Sequence, residues 1–600
     1  MRDALRALRS KMQSHNVDLY LVTSDDFHMS EYVGDFFKCR EFLTGFTGSA
    51  GTALVSMDEA FLFTDGRYFL QAEQELSGTG FTLCKIGEPD VPTLWEAVRD
   101  RLPLGGTLSF DGRTVSAETG EKLNEIVTAR KGIVRSDVDF IGEIWDHRPE
   151  MAENPLWILD ARYAGETVSE KAGQVRKLLH RKKADALVLT APEDVMWLLN
   201  LRGNDVTNTP VALCYLILTE GEIRFFPREK ALTEEVRTYL SENGVIVDAY
   251  GRIYDAVSEF PENTKVFLSM ERVNDRLYRK ISEKYTVVRG FSPTSLLKAV
   301  KNETERQNLR KAHVKDGAAL VKALRLIDLK AASAREKCES FTEWDAARII
   351  DNERRKQDGF VDVSFETISG FGANGAIIHY EPRKETAAEI ENRSFLLLDS
   401  GGHYLEGTTD ITRTLAMGPL TPEEKKAYTL VLKGHLALAM AEFPAGTAGG
   451  ELDSLVRAPL WKEGLDYRHG TGHGIGYLLS VHEWPANMNR KSSPERKKEE
   501  IFKPGMLTSD EPGVYVEGKF GVRIENDLLC KEIRKTEYGC FYGFENLTLC
   551  PIDTRPVLTE LLTEDEKAYL NAYHKRVYAE LYPLLSTEER EWLQAATREI

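Results

Sequence analysis

The run "FLLLDSGGHYLEGTTDITRT" (395–414) sets two aspartates close together in a stretch that is otherwise apolar or β-prone. Four apolar residues lead into Asp399, the glycines at 401 and 402 read as a chain reversal, and "TTDITRT" returns with Asp410 in its middle. Such a hairpin brings both carboxylates to one mouth, where they need a shared proton or a cation. Asp399 alone reads equally well as a strand-end turn residue, whereas a half-buried Asp410 without a partner is costly.

A second run, "HGTGHGIG" (469–476), spaces His469 and His473 four apart. That spacing would let a helix present both to one metal, but the glycines around them argue against helix and for a tight path with backbone lying against something. It is not a phosphate loop, because no lysine follows in the Walker pattern. His482, in "SVHEWP", is apolar on one side and taken alone reads as a core histidine. Further on, Glu511 precedes a Pro-Gly turn in "SDEPG", and alternation in "GVRIEND" puts Arg523 and Glu525 on the face opposite Val522 and Ile524. Each has a structural explanation by itself, a turn carboxylate or a salt-bridged strand. Together, two aspartates, two glutamates and one histidine make a carboxylate-rich set that suits a pair of divalent ions of the manganese type better than one tetrahedral zinc. Two such ions about 3.5–4 Å apart can share a hydroxide that is nucleophilic near neutral pH.

The elements that must position these residues lie in the second half of the chain. Six of the 12 histidines (379, 403, 435, 469, 473, 482) fall between 379 and 482, far more than uniform scatter over 600 residues would place there. Helical periodicity over 303–330 and 421–443 alternates with short strands and glycine turns, which predicts a mixed α+β domain. Before it, a helix pattern followed by "DLYLVTSDD" (18–26), "FLTGFTGS" (42–49) and "GTALVSMDEAFLFTDGRY" (51–68) recurs loosely as "ADALVLTAPED" (184–194), "WLLNLRGN" (197–204) and "ALCYLILTEGEIRFFPREK" (212–230). The offset is 167 between Thr23 and Thr190 but 155 between Phe42 and Trp197, so the expectation is a diverged duplication with an indel. Two similar α/β domains, 1–148 and 149–300, then precede a third at 301–600.

Composition narrows the classes. With 42% hydrophobic and 29% charged residues and no uninterrupted apolar run near ~18 residues, the chain reads as globular with no membrane partner. A net charge of -17 disfavours nucleic acid, and the basic run "NRKSSPERKKEE" (489–500), offset by its own glutamates, reads as a solvated loop. Seven scattered cysteines with no C-x-x-C pair suggest neither a disulfide framework nor a zinc ribbon, and the N-terminal run lacks a secretory apolar core. The cytoplasm is the compartment expected.

The runs "GAIIHY" (375–380), DSG (399–401), "TTDITRT" (408–414), "HGTGHG" (469–474), VHE (481–483), DEPG (510–513) and RIEN (523–526) resemble the catalytic domain of the methionine aminopeptidase and prolidase superfamily. With "GFTGSAGTALV", "TDGRYFLQAEQEL", "LLNLRGNDV" and the C-terminal "YHKRVYAELYPLLSTEEREWL", the whole chain resembles the long, three-domain cytosolic Xaa-Pro aminopeptidases. That resemblance implies an α/β (α+β) architecture of two related creatinase-like domains and a C-terminal pita-bread catalytic domain. It implies two divalent metal ions, manganese foremost with zinc or cobalt as substitutes, in a site where Asp410 and Glu525 bridge both, Asp399 serves one, and His473 and Glu511 serve the other. It implies removal of an N-terminal residue preceding proline, by attack of a hydroxide shared between the metals. Glu511 is the expected proton carrier, and His379, His469 and His482 match substrate-contacting donors. Arg67 matches an arginine reaching the substrate's far side, against a local role paired to Asp65. A homodimer is implied too. A proline nitrogen carries no N–H, which disfavours proteases that use that donor. The alternatives are a prolidase-like dipeptidase with the same five ligands, and a non-catalytic pita-bread binding module, which retention of all five disfavours. Two departures stand out: Trp484 replaces the glycine of the usual VHEGP, bearing on pocket shape and peptide length, and "GGHYLEG" replaces the usual residues after the first aspartate.

Overall fold

Residues 2–600 are described in a computed structural model, which divides into two compact units, 1–161 with 166–294, and 162–165 with 295–600. Among the described residues no helix is long and apolar enough to cross a membrane.

The first unit contains the repeat as a repeat of topology. Its first sheet runs, in spatial order, Thr82–Lys85, Ala60–Thr64, Thr52–Ser56, Leu19–Val22, Thr107–Ser109, Ile133–Arg135. Its second sheet runs Val245–Val247, Ile223–Pro227, Cys214–Thr219, Ala186–Leu189, Lys265–Leu268, Thr286–Arg289. In both, the three strands contributed by the central hairpin region pair antiparallel and the outer strands parallel. Thr23 and Thr190, matched from sequence, do the same thing: each hydroxyl sits just past its central strand and donates to a loop carbonyl, Thr114 in one copy and Arg272 in the other. The copies meet across equivalent residues. Ala117 N–H donates to the Val273 carbonyl, Asp275 N–H donates to the Val115 carbonyl, and Ser116 and Asn274 form an antiparallel bridge between them. Amphipathic helices cover the sheets, Asp3–Ser14 burying Leu5, Leu8 and Met12, and Val168–Lys182 burying Val168, Ala172, Val175 and Leu179 behind a Thr167–Glu170 capping box.

The second unit is built in two similar halves. In one, helices Glu303–Lys337 and Glu343–Arg355 back a sheet of Ile368–Phe371, Phe395–Ser400 and Ile411–Ala416. In the other, helices Pro422–Ala439 and Gly449–Trp461 back a sheet ordered Phe443–Pro444, Gly539–Asn546, Asn526–Thr536, Leu507–Asp510, Gly472–Gly474, Glu483–Met488. The first long helix starts where the sequence places it, capped by Asn302, and runs on to Lys337 until Cys338 turns left-handed. The helix expected over 421–443 stops at Ala439, because Phe443–Pro444 is recruited as an edge strand against Tyr542 and Phe541.

The hairpin around the two aspartates differs from the expected one. Gly401 and Gly402 do not reverse the chain; it runs on through Gly402–Tyr404 and turns at Leu405–Glu406, with Gly407 at φ 136°. Gly401 is required by crowding, since a Cβ there would lie 2.1 Å from Ser364 Oγ and from the Thr409 carbonyl. Beyond this small extra hairpin the main strands still pair, with Asp399 opposite Thr412 and Asp410 immediately before the returning strand.

Candidate metal and substrate site

The first half contributes Asp399 and Asp410, and the second contributes His473, Glu511 and Glu525. The two halves are stitched together beside these residues: Glu525 N–H donates to the Thr412 carbonyl at 3.1 Å, and Thr414 Oγ donates to the Arg523 carbonyl at 2.8 Å. Arg413 ties the seam from beneath, donating to the carbonyls of Thr412, Glu525, Cys550 and Pro551 and to the Tyr573 hydroxyl of the C-terminal helix Glu564–Leu581.

Asp410, His473 and Glu525 each offer a ligand atom within 4.8 Å of the others. His473 Nδ1 donates to the Gly474 carbonyl at 2.9 Å, which fixes the ring's orientation and turns Nε2 toward the carboxylates. That Nε2 lies 3.4 Å from Asp410 and 3.6 Å from Glu511, too far for ordinary hydrogen bonds and suited to groups arranged around a common centre. Asp399 joins from the side: Arg523 donates to its Oδ2 from Nη2 at 2.5 Å and from Nε at 3.1 Å, while Oδ1 stays buried without a hydrogen-bond partner. Asp410 Oδ1 is in the same condition. Burial, then the neighbouring Asp399 and Asp527, push the Asp410 carboxyl well above its ordinary range; burial, then Asp410 and Asp399, do the same to Glu525. Glu511 is also raised by burial, with His473 opposing. Buried carboxylates this crowded are unfavourable without positive charge, and a set of oxygen donors with one imidazole fits divalent cations.

The glycines of "HGTGHG" are explained by neighbouring backbone. Gly472–Gly474 is a strand squeezed between two others; a Cβ on Gly472 would lie 2.0 Å from the Ser509 carbonyl and one on Gly474 would lie 2.1 Å from that of Glu483. His482 meets His473 edge to face, ring centroids 4.2 Å apart. His469 is engaged at both ring nitrogens, Nδ1 with the Gly470 carbonyl at 2.7 Å and Nε2 with the Tyr515 hydroxyl at 2.9 Å; that hydroxyl also accepts from Arg523. His379 is half-buried, one residue past Ile378, whose carbonyl accepts from Arg523. Arg67 lies in the N-terminal unit in a two-pronged pair with Asp65, the local partner anticipated from sequence. Half of the basic run at 489–500 is exposed and its last residue, Glu500, is buried, with a short turn of helix at Pro494–Lys497.

Two further buried residues, Asp527 and His313, lie beside the cluster outside the candidate residues singled out above from the sequence. Asp527 Oδ2 accepts the Asp410 N–H at 3.0 Å and sits 2.8 Å from His313 Nε2. Burial alone would lower the imidazole's pKa, but the hydrogen bond and charge of Asp527 outweigh it and raise His313 above the ordinary histidine value. The signal was present: His313 falls four residues from Leu309 on the apolar face of its helix, where both are buried.

If this cluster holds cations, chelation should lower the Tm and manganese should restore it; at a hundredfold excess over Kd, binding adds about 2.7 kcal/mol. Asp410→Asn in the stripped chain should instead raise the Tm by roughly 3–6 °C, by removing one crowded charge, and should abolish the gain from manganese. Differential scanning fluorimetry with and without chelator reads both.

Residues 307–532 match metallopeptidase family M24 and 540–600 the C-terminal region of that peptidase, while 5–143 and 147–305 each match a creatinase/prolidase N-terminal domain. The fold and site define a metallopeptidase in which two creatinase-like domains are followed along the chain by a pita-bread catalytic domain, and the chain belongs to family M24. It is 38% identical over 619 residues, 99% of this chain and 98% of the relative, to a probable Xaa-Pro aminopeptidase P of Coprinopsis cinerea. It is 40% identical over 592 residues, 96% of this chain and 95% of the relative, to one from Sordaria macrospora. The crystal structure of X-prolyl aminopeptidase from Caenorhabditis elegans, described as a cytosolic enzyme with a di-nuclear active site, aligns at TM-score 0.94 and 36% identity over 100% of this chain and 99% of that one.

Proposed function

We propose that the chain is a metal-dependent aminopeptidase that hydrolyses the N-terminal Xaa-Pro bond of peptides. The observation that carries this reading is the convergence of Asp410, His473, Glu525 and Glu511, with Asp399 beside them, in a chain alike over its whole length to Xaa-Pro aminopeptidases. Residues 1–148 and 149–300 are assigned as the two creatinase-like domains, and 301–600 carry the chemistry. Asp399, Asp410, His473, Glu511 and Glu525 hold two divalent ions, manganese foremost. When bound, such ions activate a water near neutral pH and polarise a carbonyl.

The chain's own residues do the rest. Glu511, raised by burial and backed by Ser509 Oγ at 3.3 Å, takes the proton of the attacking water and returns one to the proline nitrogen as it leaves. His379 and His482 donate to the scissile carbonyl and its oxyanion. His469 does the same by exchanging its bond to Tyr515. Arg523 neutralises Asp399 through Oδ2 and keeps that carboxylate fixed, leaving Oδ1 for a cation. Arg67, held by Asp65, is assigned to the substrate's far side. Free thiols at all seven cysteines and the likeness to a cytosolic relative support a cytoplasmic setting, and we assign a homodimer.

Manganese-loaded protein should release the first residue of Xaa-Pro-Yaa at least on the order of 10³-fold faster, in kcat/KM, than that of Xaa-Ala-Yaa. Cleavage confined to Xaa-Pro dipeptides would make it a prolidase, and activity indifferent to chelator and manganese would overturn the mechanism. Liquid chromatography of the released residue separates these outcomes.

A further inference from the structure

A second group of buried charges lies in the catalytic unit outside the carboxylate cluster. Lys298, at the end of helix Pro293–Ala299, donates from Nζ to Glu483 Oε2 at 2.8 Å, and Lys301 donates to Glu483 Oε1. The side chains of Lys298, Lys301 and Glu483 are 8%, 1% and 3% exposed. Burial disfavours an ionised Glu483, yet the two ammonium groups outweigh it and hold the carboxyl below its usual range. Three buried charges are a costly way to fill space, since apolar side chains of similar volume would do so at least as stably. What they add is a fixed geometry.

Glu483 occupies the position where such fixing matters. It follows His482 directly, begins the strand Glu483–Met488, and pairs with Gly474, the neighbour of His473. Its carbonyl takes the space that a Cβ on Gly474 would need. The place where the His473 and His482 rings meet is therefore set by backbone on both sides of it, and that backbone is anchored through one carboxylate gripped at both oxygens. The clamp is itself held. Lys301 N–H donates to the Gly505 carbonyl at 2.9 Å, and Val300 bridges Met506, just ahead of the strand Leu507–Asp510 that leads to Glu511. On the other side, Trp484 Nε1 donates to Glu500 at 3.3 Å.

We infer that Glu483, clamped by Lys298 and Lys301, is a positioning residue that holds His482 in one orientation against His473; this rests on the substrate-facing role given to His482 above. Removing Glu483 alone would strand two buried ammonium groups, so the informative variants keep charge balanced. Lys298→Met leaves a one-to-one pair, and the triple variant Lys298→Met/Glu483→Gln/Lys301→Met removes all three charges. Both should keep the wild-type metal content and a Tm within about 3 °C of it. On Xaa-Pro-Yaa, kcat should fall about fivefold in Lys298→Met and 10- to 100-fold in the triple variant, with KM changed less than threefold, because a displacement of about 1 Å costs up to about 10²-fold. Amide hydrogen exchange in a peptide covering 479–488 should become faster in both. The inference needs both changes, beyond any loss of folded fraction, and either one missing overturns it. If the triple variant does not fold, Lys298→Met decides alone. If the wild-type protein cleaves no Xaa-Pro peptide, the proposed function fails while the exchange measurement still decides whether the clamp orders this segment.

Discussion

Glu525→Ala should lose metal and activity together, with kcat/KM on Xaa-Pro-Yaa down by about 10³-fold or more. Ions at such a site supply several kcal/mol of transition-state stabilisation, and each 1.36 kcal/mol is tenfold in rate. Glu525 is 1% exposed, its Oε2 accepts from Thr412 at 2.7 Å, and it shares its surroundings with Asp410 and His473. His482→Ala gives the contrasting result. It should lower kcat by about 10²–10³, the usual effect of deleting one oxyanion donor, with metal content unchanged. Elemental analysis alongside steady-state kinetics distinguishes the two, and the opposite pattern would reverse the assigned roles.

The second large effect comes from a single methyl group. Gly472→Ala places a Cβ 2.0 Å from the Ser509 carbonyl, inside a strand pinned on both sides. Neither flanking element can give way cheaply, since one leads to Glu511 and the other carries Glu483. Overpacking costs typically 1–3 kcal/mol and sometimes more, and the displacement reaches His473 next door, so activity should fall by about 100-fold. Gly173→Ala is the control. Gly173 lies in the helix Val168–Lys182 with nothing within 4 Å of its added Cβ, and there alanine should stabilise by about 0.5–1 kcal/mol. Urea denaturation of the three proteins measures the difference; equal stability would mean that the sheet yields where the packing says it cannot.

The parts of this architecture legible in the sequence are those governed by local rules. Apolar periodicity marks the helices, the longest from Glu303 on, and the two aspartates of the cluster stand out because apolar or β-prone residues surround them. Partners are another matter. Asp399 finds Arg523 124 residues away, and Asp527 finds His313 across 214, and no local pattern connects either pair. The glycines of "HGTGHG" announce a close approach, but which backbone approaches is fixed only once two further strands have folded against them. The Gly-Gly after Asp399 misleads for a related reason: a dipeptide that usually turns the chain serves here to let Ser364 and Thr409 in.

The reciprocal seam in the N-terminal unit bears on the ancestry of the chain. An antiparallel bridge joins Ser116 to its own counterpart Asn274, 158 positions on, and the flanking bonds from Ala117 to Val273 and from Asp275 to Val115 are the same bond made once from each copy. That is the signature of an isologous dimer interface. The two creatinase-like domains therefore meet as the subunits of a symmetric dimer would, with both subunits strung on one polypeptide. Only the seam must keep both copies in step, which leaves the rest of each copy at liberty to drift apart.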